Sequence, residues 1–263
     1  MKATRLNFRR SGPSSGPTLL LIPPMGTDHR FWDECRNIWQ ERYDCIAVDL
    51  RGSGNMPQGE QPLTIDAHAN DLSALKDLLE LGAVVPVGCA IGAMVAVVFA
   101  ARHAADCTAL VLSNPGLATQ PPAREMLARR AEAVRRAGMD AILPGAVNVA
   151  FEGCTNSLRR TEHLTRLRAV SPEAYATQIE NILDADVTAH LSYITCPTLL
   201  VAGGCDRLLP PIDHAHKLHA MIDQSEFVEI SEAAHFIPYQ RPEEFAIMVL
   251  ETLDRACQLR SVS

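Results

Sequence analysis

The sequence predicts an α/β protein, a mostly parallel, doubly wound sheet that carries an inserted helical lid. Three observations predict it. Short apolar runs alternate along the chain with stretches of helical period. The runs are apolar throughout rather than at every second position, as strands buried on both faces must be. One pair of runs is separated by about seventy residues of helical character, far more than an ordinary connection needs.

The first run, Thr18 to Ile22, is ended by Pro23 and Pro24. The second, Asp44 to Leu50, leaves through Arg51-Gly52-Ser53-Gly54. Residues Ile65 to Leu81 place Ile65, Leu72, Leu75, Leu78 and Leu79 at helical spacing and stop at Gly82. A strand at Val84 to Val87 and a helix at Ile91 to His103 follow, then strands at Ala109 to Leu112, Thr198 to Ala202 and Phe227 to Ile230, and a last helix from Pro242 to Cys257. Parallel pairing follows because each return crossover needs a helix's length. The expected organisation is a core of residues 1–118 and 191–263 with a lid at 119–190, hinged at Pro121-Pro122.

Composition sets limits on function. The chain has 263 residues, 47% apolar and 21% charged, which is ample material for a core. A net charge of −7 argues against nucleic acid as a partner. No run reaches the roughly 18 apolar residues of a membrane span. MKATRLNFRR has no apolar segment behind its basic residues, so a cytoplasmic location is expected. The eight cysteines lack CxxC spacing and are expected as reduced core residues. The nine arginines between residues 121 and 170 face only five acidic side chains, which leaves the lid basic within an acidic whole.

Three positions carry the chemistry. VPVGCAIGAM, residues 85 to 94, is a strand entering a Gly-x-x-x-Gly turn and leaving as an apolar helix. That is the layout of a nucleophile elbow, in which small residues two before and two after the apex admit a cramped backbone. With Ala90 at the apex, the small positions are Gly88 and Gly92. With Cys89 there, they would be Val87 and Ile91, which a tight approach excludes. Ala90 therefore holds the nucleophile's place, and Cys89 is expected to pack or to line the pocket. Gly203-Gly204-Cys205-Asp206 closes a strand at the sheet edge where ligand groups collect. Ala233-Ala234-His235-Phe236 follows the last strand. Elbow, Asp206 and His235 occur in the chain order of a hydrolytic triad.

These residues, with Pro24-Met25-Gly26-Thr27-Asp28-His29-Arg30-Phe31-Trp32-Asp33, Asp49-Leu50-Arg51-Gly52-Ser53-Gly54 and Arg241-Pro242-Glu243-Glu244-Phe245, resemble the α/β-hydrolase superfamily over nearly the full chain, and within it the 3-oxoadipate enol-lactonase group. The resemblance implies an oxyanion hole from the backbone N–H groups of Met25 and Ile91. It also implies a small-molecule ester, lactone or amide substrate, with Cys89, Arg30 and Phe236 as substrate-side residues. No cofactor and no metal are expected. Ser53 lies in a turn that is structural in the family. His214, His216 and His219 have the wrong spacing for zinc and are expected on a solvated helix face.

Ala90 admits three explanations. The chain is an engineered Ser→Ala form of a working hydrolase, nearly inert as an esterase. It is a natural enzyme without a covalent step, in which His235 and Asp206 act as general base in lyase, decarboxylase or cofactor-free oxygenase chemistry. Or it is a ligand sensor. The retained glycines, Asp206 and His235 favour the first. The basic lid adds the expectation of a carboxylate on the substrate.

Overall fold

The computed structural model describes residues 6–14, 16–54, 56–154, 157–208 and 211–262. The first five residues, Thr155 and Asn156 within the expected lid, and Pro210 lie outside them.

Seven strands form one sheet: β1 (Phe8–Ser11), β2 (Thr18–Ile22), β3 (Asp44–Val48), β4 (Val84–Cys89), β5 (Leu110–Ser113), β6 (Thr198–Gly203) and β7 (Ser225–Ile230). Their order is β1-β3-β2-β4-β5-β6-β7, with β1 antiparallel to β3 and every other pair parallel. Strands β2 to β6 are buried along their whole length, which is why they read as continuous apolar runs. The edge strand β1 was not expected. Its sequence FRRS turns Arg9 and Arg10 outward, and Arg10 holds Asp44 of β3 through two 2.9 Å hydrogen bonds.

Helices α1 (Asp33–Trp39), α2 (Ile65–Leu78), α3 (Ile91–Arg102), α8 (Pro211–Met221), α9 (Ile237–Gln240) and α10 (Pro242–Val262) belong to the core. Thr64 caps α2 by accepting from the Ala67 amide at 3.2 Å. Helix α3 is apolar nearly all round, as a helix buried behind the central strands must be. Against α10, the Trp39 ring of α1 packs at a tilt on that of Phe245, centroids 6.2 Å apart, and its indole N–H donates to the Ala246 carbonyl at 3.1 Å. Among the described residues no helix is long and apolar enough to cross a membrane.

Between β5 and β6 the chain runs through α4 (Pro121–Ala137), α5 (Gly145–Ala150), α6 (Ser157–Arg168) and α7 (Pro172–Asn181). Pro121 and Pro122 occupy the first turn of α4, where their missing N–H groups cost nothing. Arg135 ties α4 to Glu173 and Glu180 of α7. Gln178 of α7 reaches the core, donating to Ser53 Oγ at 3.0 Å and to the Arg51 carbonyl at 3.3 Å.

The topology places the site. Strand order reverses between β2 and β4, since β3 lies on one side of β2 and β4 on the other. A crevice opens at the carboxyl ends of strands where order reverses. Ile22 is level with Gly88, and Cys89 with Ser113, so the loops leaving β2, β4 and β5 emerge side by side.

Candidate active site

The elbow is built from close backbone contacts. A Cβ on Gly88 would lie 2.3 Å from the Gly92 carbonyl oxygen, and one on Gly92 would lie 2.3 Å from that of Ile22. Neither contact can be relieved by turning a side chain, so both positions demand glycine. Between them Ala90 takes φ 52° and ψ −115°, a conformation that L residues avoid at a cost of about 1–3 kcal/mol. It is held there by its own N–H, which donates to the Ser113 carbonyl at 2.9 Å, while its carbonyl accepts from the Ala93 amide at 3.0 Å. Ala90 stands immediately before α3, so the helix N-terminus lies beside its methyl group.

The end of β6 brings Asp206 to His235. A Cβ on Gly203 would meet the Ala234 carbonyl oxygen at 2.4 Å, and one on Gly204 the Ser231 carbonyl oxygen at 2.7 Å. The two glycines thus let the β6 exit lie directly on the histidine loop. His235 Nδ1 is 2.6 Å from Asp206 Oδ2. Asp206 Oδ2 also accepts from Asn114 Nδ2 at 2.8 Å, and Oδ1 from the Leu208 amide at 2.9 Å. Burial acts to raise the Asp206 pKa. The field and hydrogen bond of His235, with the Leu208 and Asn114 donors, outweigh it and hold the carboxyl below its ordinary value. A carboxylate at Nδ1 requires the proton on that nitrogen, which leaves the Nε2 lone pair as the ring's base.

Gly203→Ala is expected to force the β6 exit away from the histidine loop and lengthen the Asp206–His235 contact. The measurements are a drop of several degrees in Tm together with loss of the downfield imidazole N–H resonance. A folded variant that keeps that resonance would show that the glycine is dispensable.

Ala90 and His235 line one cleft with Pro24, Met25, Ile91, Phe236 and residues of α4 to α7, enclosing about 870 Å³ of empty space with its mouth included. Gly92 seats closely on the β2 exit, and Met25 and Ile91 on either side of that contact line the cleft. Among the described residues neither amide donates to a protein acceptor.

Residues 19–247 match the sequence profile of the alpha/beta hydrolase family. The chain belongs to this family. It is 25% identical over 245 residues to 3-oxoadipate enol-lactonase 2 of Acinetobacter baylyi, covering 91% of this chain and 90% of that one. It is also 25% identical to the putative carbamate hydrolase RutD of Escherichia coli, with 91% of each covered. Among solved structures, a thermophilic esterase from Thermogutta terrifontis superposes with a TM-score of 0.85 at 28% identity, covering 95% of this chain and 93% of that one. The enol-lactonase of Burkholderia xenovorans LB400 gives 0.83 at 25%, covering 95% and 96%.

Within this alpha/beta hydrolase, two expected substrate-side residues sit elsewhere. Cys89 is fully buried and absent from the cleft wall. Its thiol points to the His235 carbonyl, 3.7 Å away, and burial drives its pKa well up, so it packs the histidine loop and is no nucleophile. Arg30 lines a neighbouring cavity, where it is clamped by Asp28 on two oxygens. Phe236 does line the cleft, its ring 4.9 Å from that of His235. Ser53 is buried in its turn against Gln178. The buried Arg51 beside it holds Asp71 at 2.6 Å and the carbonyls of Gln58, Gln61 and Pro62. Of the three clustered histidines, His219 is exposed as expected, but His214 is buried and faces the cleft. Asp28, His29 and Asp49 come close enough to one another to hold a cation. Asp28 is already occupied by Arg30, and Asp49 by Asn7 and by His29 N and Nδ1.

Four of the nine arginines between residues 121 and 170 pair with carboxylates of the insertion, Arg124 with Asp184, Arg129 with Glu125, Arg135 with Glu173 and Glu180, and Arg168 with Asp140, while Arg159 faces Glu34 at 3.9 Å and Arg160 reaches Asn148. Arg130 lines the cleft and Arg166 the neighbouring cavity, and among the described residues neither has a carboxylate partner.

Sequence reasoning missed His163 of α6, which is buried at the boundary of both cavities with its ring 5.0 Å from Phe236. Burial, then the charges of Arg166 and His235, push its pKa down to about 4. His68 of α2 is pushed down to about 3 by burial and Arg51, and among the described residues its Nδ1 has no partner. The unfolded chain takes up protons at both sites near pH 6.5, and the folded one does not until far lower. Stability therefore rises with pH across that interval and is lost as pH falls. Between pH 7 and pH 5 each histidine is expected to remove about 2 kcal/mol. Urea titrations should show it, and His163→Phe should flatten the slope by its share. A wild-type midpoint unchanged between those pH values would contradict it.

Proposed function

We propose that the cleft is the active site of a hydrolase for small carbonyl compounds, an ester, lactone or amide, and that Ala90 occupies its nucleophile position. The observation that carries this reading is the strained, positive-φ apex at Ala90, held in one cleft with His235 and its Asp206 partner. In the complete machinery a serine Oγ at position 90 attacks the carbonyl carbon. His235 Nε2 takes its proton and passes it to the leaving group, and Asp206 holds the ring and stabilises the imidazolium. The Met25 and Ile91 amides receive the developing oxyanion, a contribution of a few kcal/mol. Water then repeats the cycle on the acyl-enzyme. With a methyl group at position 90, by engineering or by descent, no acyl-enzyme forms, while the pocket and its donors still bind ligand. Helices α4 to α7 act as the lid. The test is restoration of serine, followed by assay against esters, lactones and amides.

A second reading is favoured by the completeness of the His235–Asp206 pair, which needs no serine for any of its hydrogen bonds. His235 then acts as general base on a substrate proton or on water. Turnover by the Ala90 chain that His235→Ala abolishes would select it.

Arg130 supports a carboxylate on the substrate, since a half-buried arginine without a carboxylate partner among the described residues, in a largely apolar wall, is a ready anion site. In the Ala90→Ser form, Arg130→Ala is expected to lower the preference for monoethyl adipate over ethyl hexanoate about tenfold in kcat/KM. An unchanged ratio would remove the carboxylate from the proposal.

A further inference from the structure

His214 stands on α8 with its ring buried, and it forms part of the cleft wall. Its Nδ1 lies 3.1 Å from the backbone N of Leu117. A peptide N–H can only donate, so Nδ1 must present a lone pair to it. The ring's proton therefore resides on Nε2. Burial lowers the pKa of this histidine, and the neighbouring Lys217 lowers it further against a weaker opposing effect of Asp213, which keeps the ring in this neutral form. Among the described residues Nε2–H has no protein acceptor, yet it is not one of the side-chain atoms sealed away from solvent without a partner. Because His214 lines the cleft, a ligand bound there can offer the missing acceptor.

His235 has the opposite arrangement. Asp206 takes the Nδ1 proton, and a lone pair remains on Nε2. One cleft thus holds two imidazoles of fixed and contrary polarity, each set by the partner at Nδ1. A donor in the cleft wall without a protein acceptor is one that a ligand oxygen can satisfy.

We propose that His214 is a specificity residue whose Nε2–H binds an acceptor oxygen of the substrate in the cleft that His235 serves as base. The oxygen belongs to a carbonyl, carboxylate or ether-type group remote from the bond that reacts. The proposal rests on the reading of this cleft as the active site.

The test has two arms. In the first, the Ala90 chain labelled with ¹⁵N-histidine is titrated with 4-methoxyphenyl acetate. The expected spectrum shows the His214 proton on Nε2, and that signal moves with ligand together with those of His235. A proton on Nδ1 of His214, or a His214 signal that stays still while His235 responds, overturns the proposal and leaves the active-site reading standing. If neither ring responds, the active-site reading fails and this proposal falls with it. In the second arm, made in the Ala90→Ser form, His214→Asn keeps an acceptor for the Leu117 amide but removes the Nε2 arm. KM for 4-methoxyphenyl acetate, whose ether oxygen is remote from the ester, is expected to rise about tenfold with a smaller change in kcat, and His214→Gln, which carries a donor further out, to recover most of the loss. A KM unchanged in His214→Asn overturns the proposal.

Discussion

Ala90→Ser is expected to raise hydrolysis of small esters and lactones by about three to six orders of magnitude over the Ala90 chain. The backbone is already in place. The apex has taken its positive φ, the flanking glycines have made their close contacts, and the 2.9 Å bond to Ser113 fixes the peptide. Substitution adds one oxygen to a methyl group that already faces an open cleft, so overpacking is not in question. The strain persists whether or not the hydroxyl is present, and the serine form inherits a positioned nucleophile rather than having to build one. The gain should vanish again when His235→Ala is combined with it. Silence of the serine form across esters, lactones and amides would remove the hydrolytic reading.

In that serine form, Asp206→Asn is expected to lower kcat about 10⁴-fold. The reason lies in the hydrogen-bond count. Oδ2 accepts from both His235 Nδ1 and Asn114 Nδ2, and Oδ1 accepts from the Leu208 amide. A carboxamide offers one accepting atom where two are needed. If its NH₂ faces His235 and Asn114, the imidazole must turn its lone pair to Nδ1 and lose the base at Nε2. If the NH₂ faces Leu208, two donors are opposed within a buried site. Either arrangement also leaves the imidazolium without a counter-charge. A loss of less than tenfold, measured as kcat with phenyl acetate, would mean that Asp206 is structural only.

The fold was legible wherever burial is two-sided. Strands β2 to β6 announce themselves because nothing polar interrupts them, and α3 because it is apolar around its circumference. Strand β1 escaped because two arginines face solvent from a four-residue edge. In β7 the expected run began at Phe227 and missed Ser225 and Glu226 for the same reason, since Glu226 faces solvent. At the site, Ala90, Asp206 and His235 were legible because each sits beside glycine or small residues at the end of a strand, where close backbone approach leaves a mark in the sequence. Asn114 carries a weaker sign: asparagine after an apolar strand tolerates the φ of 46° that the chain takes there. His163, His214 and Arg130 left none. Helical periodicity reports that a face is buried, not what lies against it, and a polar residue turned into a cavity looks the same as one turned to water. The register of the two glycines set Cys89 beside the apex rather than at it, and the structure buries it away from the cleft wall where a substrate-side role was expected. Its role as a clip on the histidine loop depends on a contact 146 positions away.

The most direct test of position 90 is covalent labelling. The Ala90→Ser protein treated with phenylmethylsulfonyl fluoride, then weighed intact and mapped by peptide, should carry a single sulfonyl adduct on residue 90, and the adduct should be lost when His235→Ala is added. An unlabelled protein, or an adduct on Cys89 in its place, would contradict the assignment of the nucleophile position.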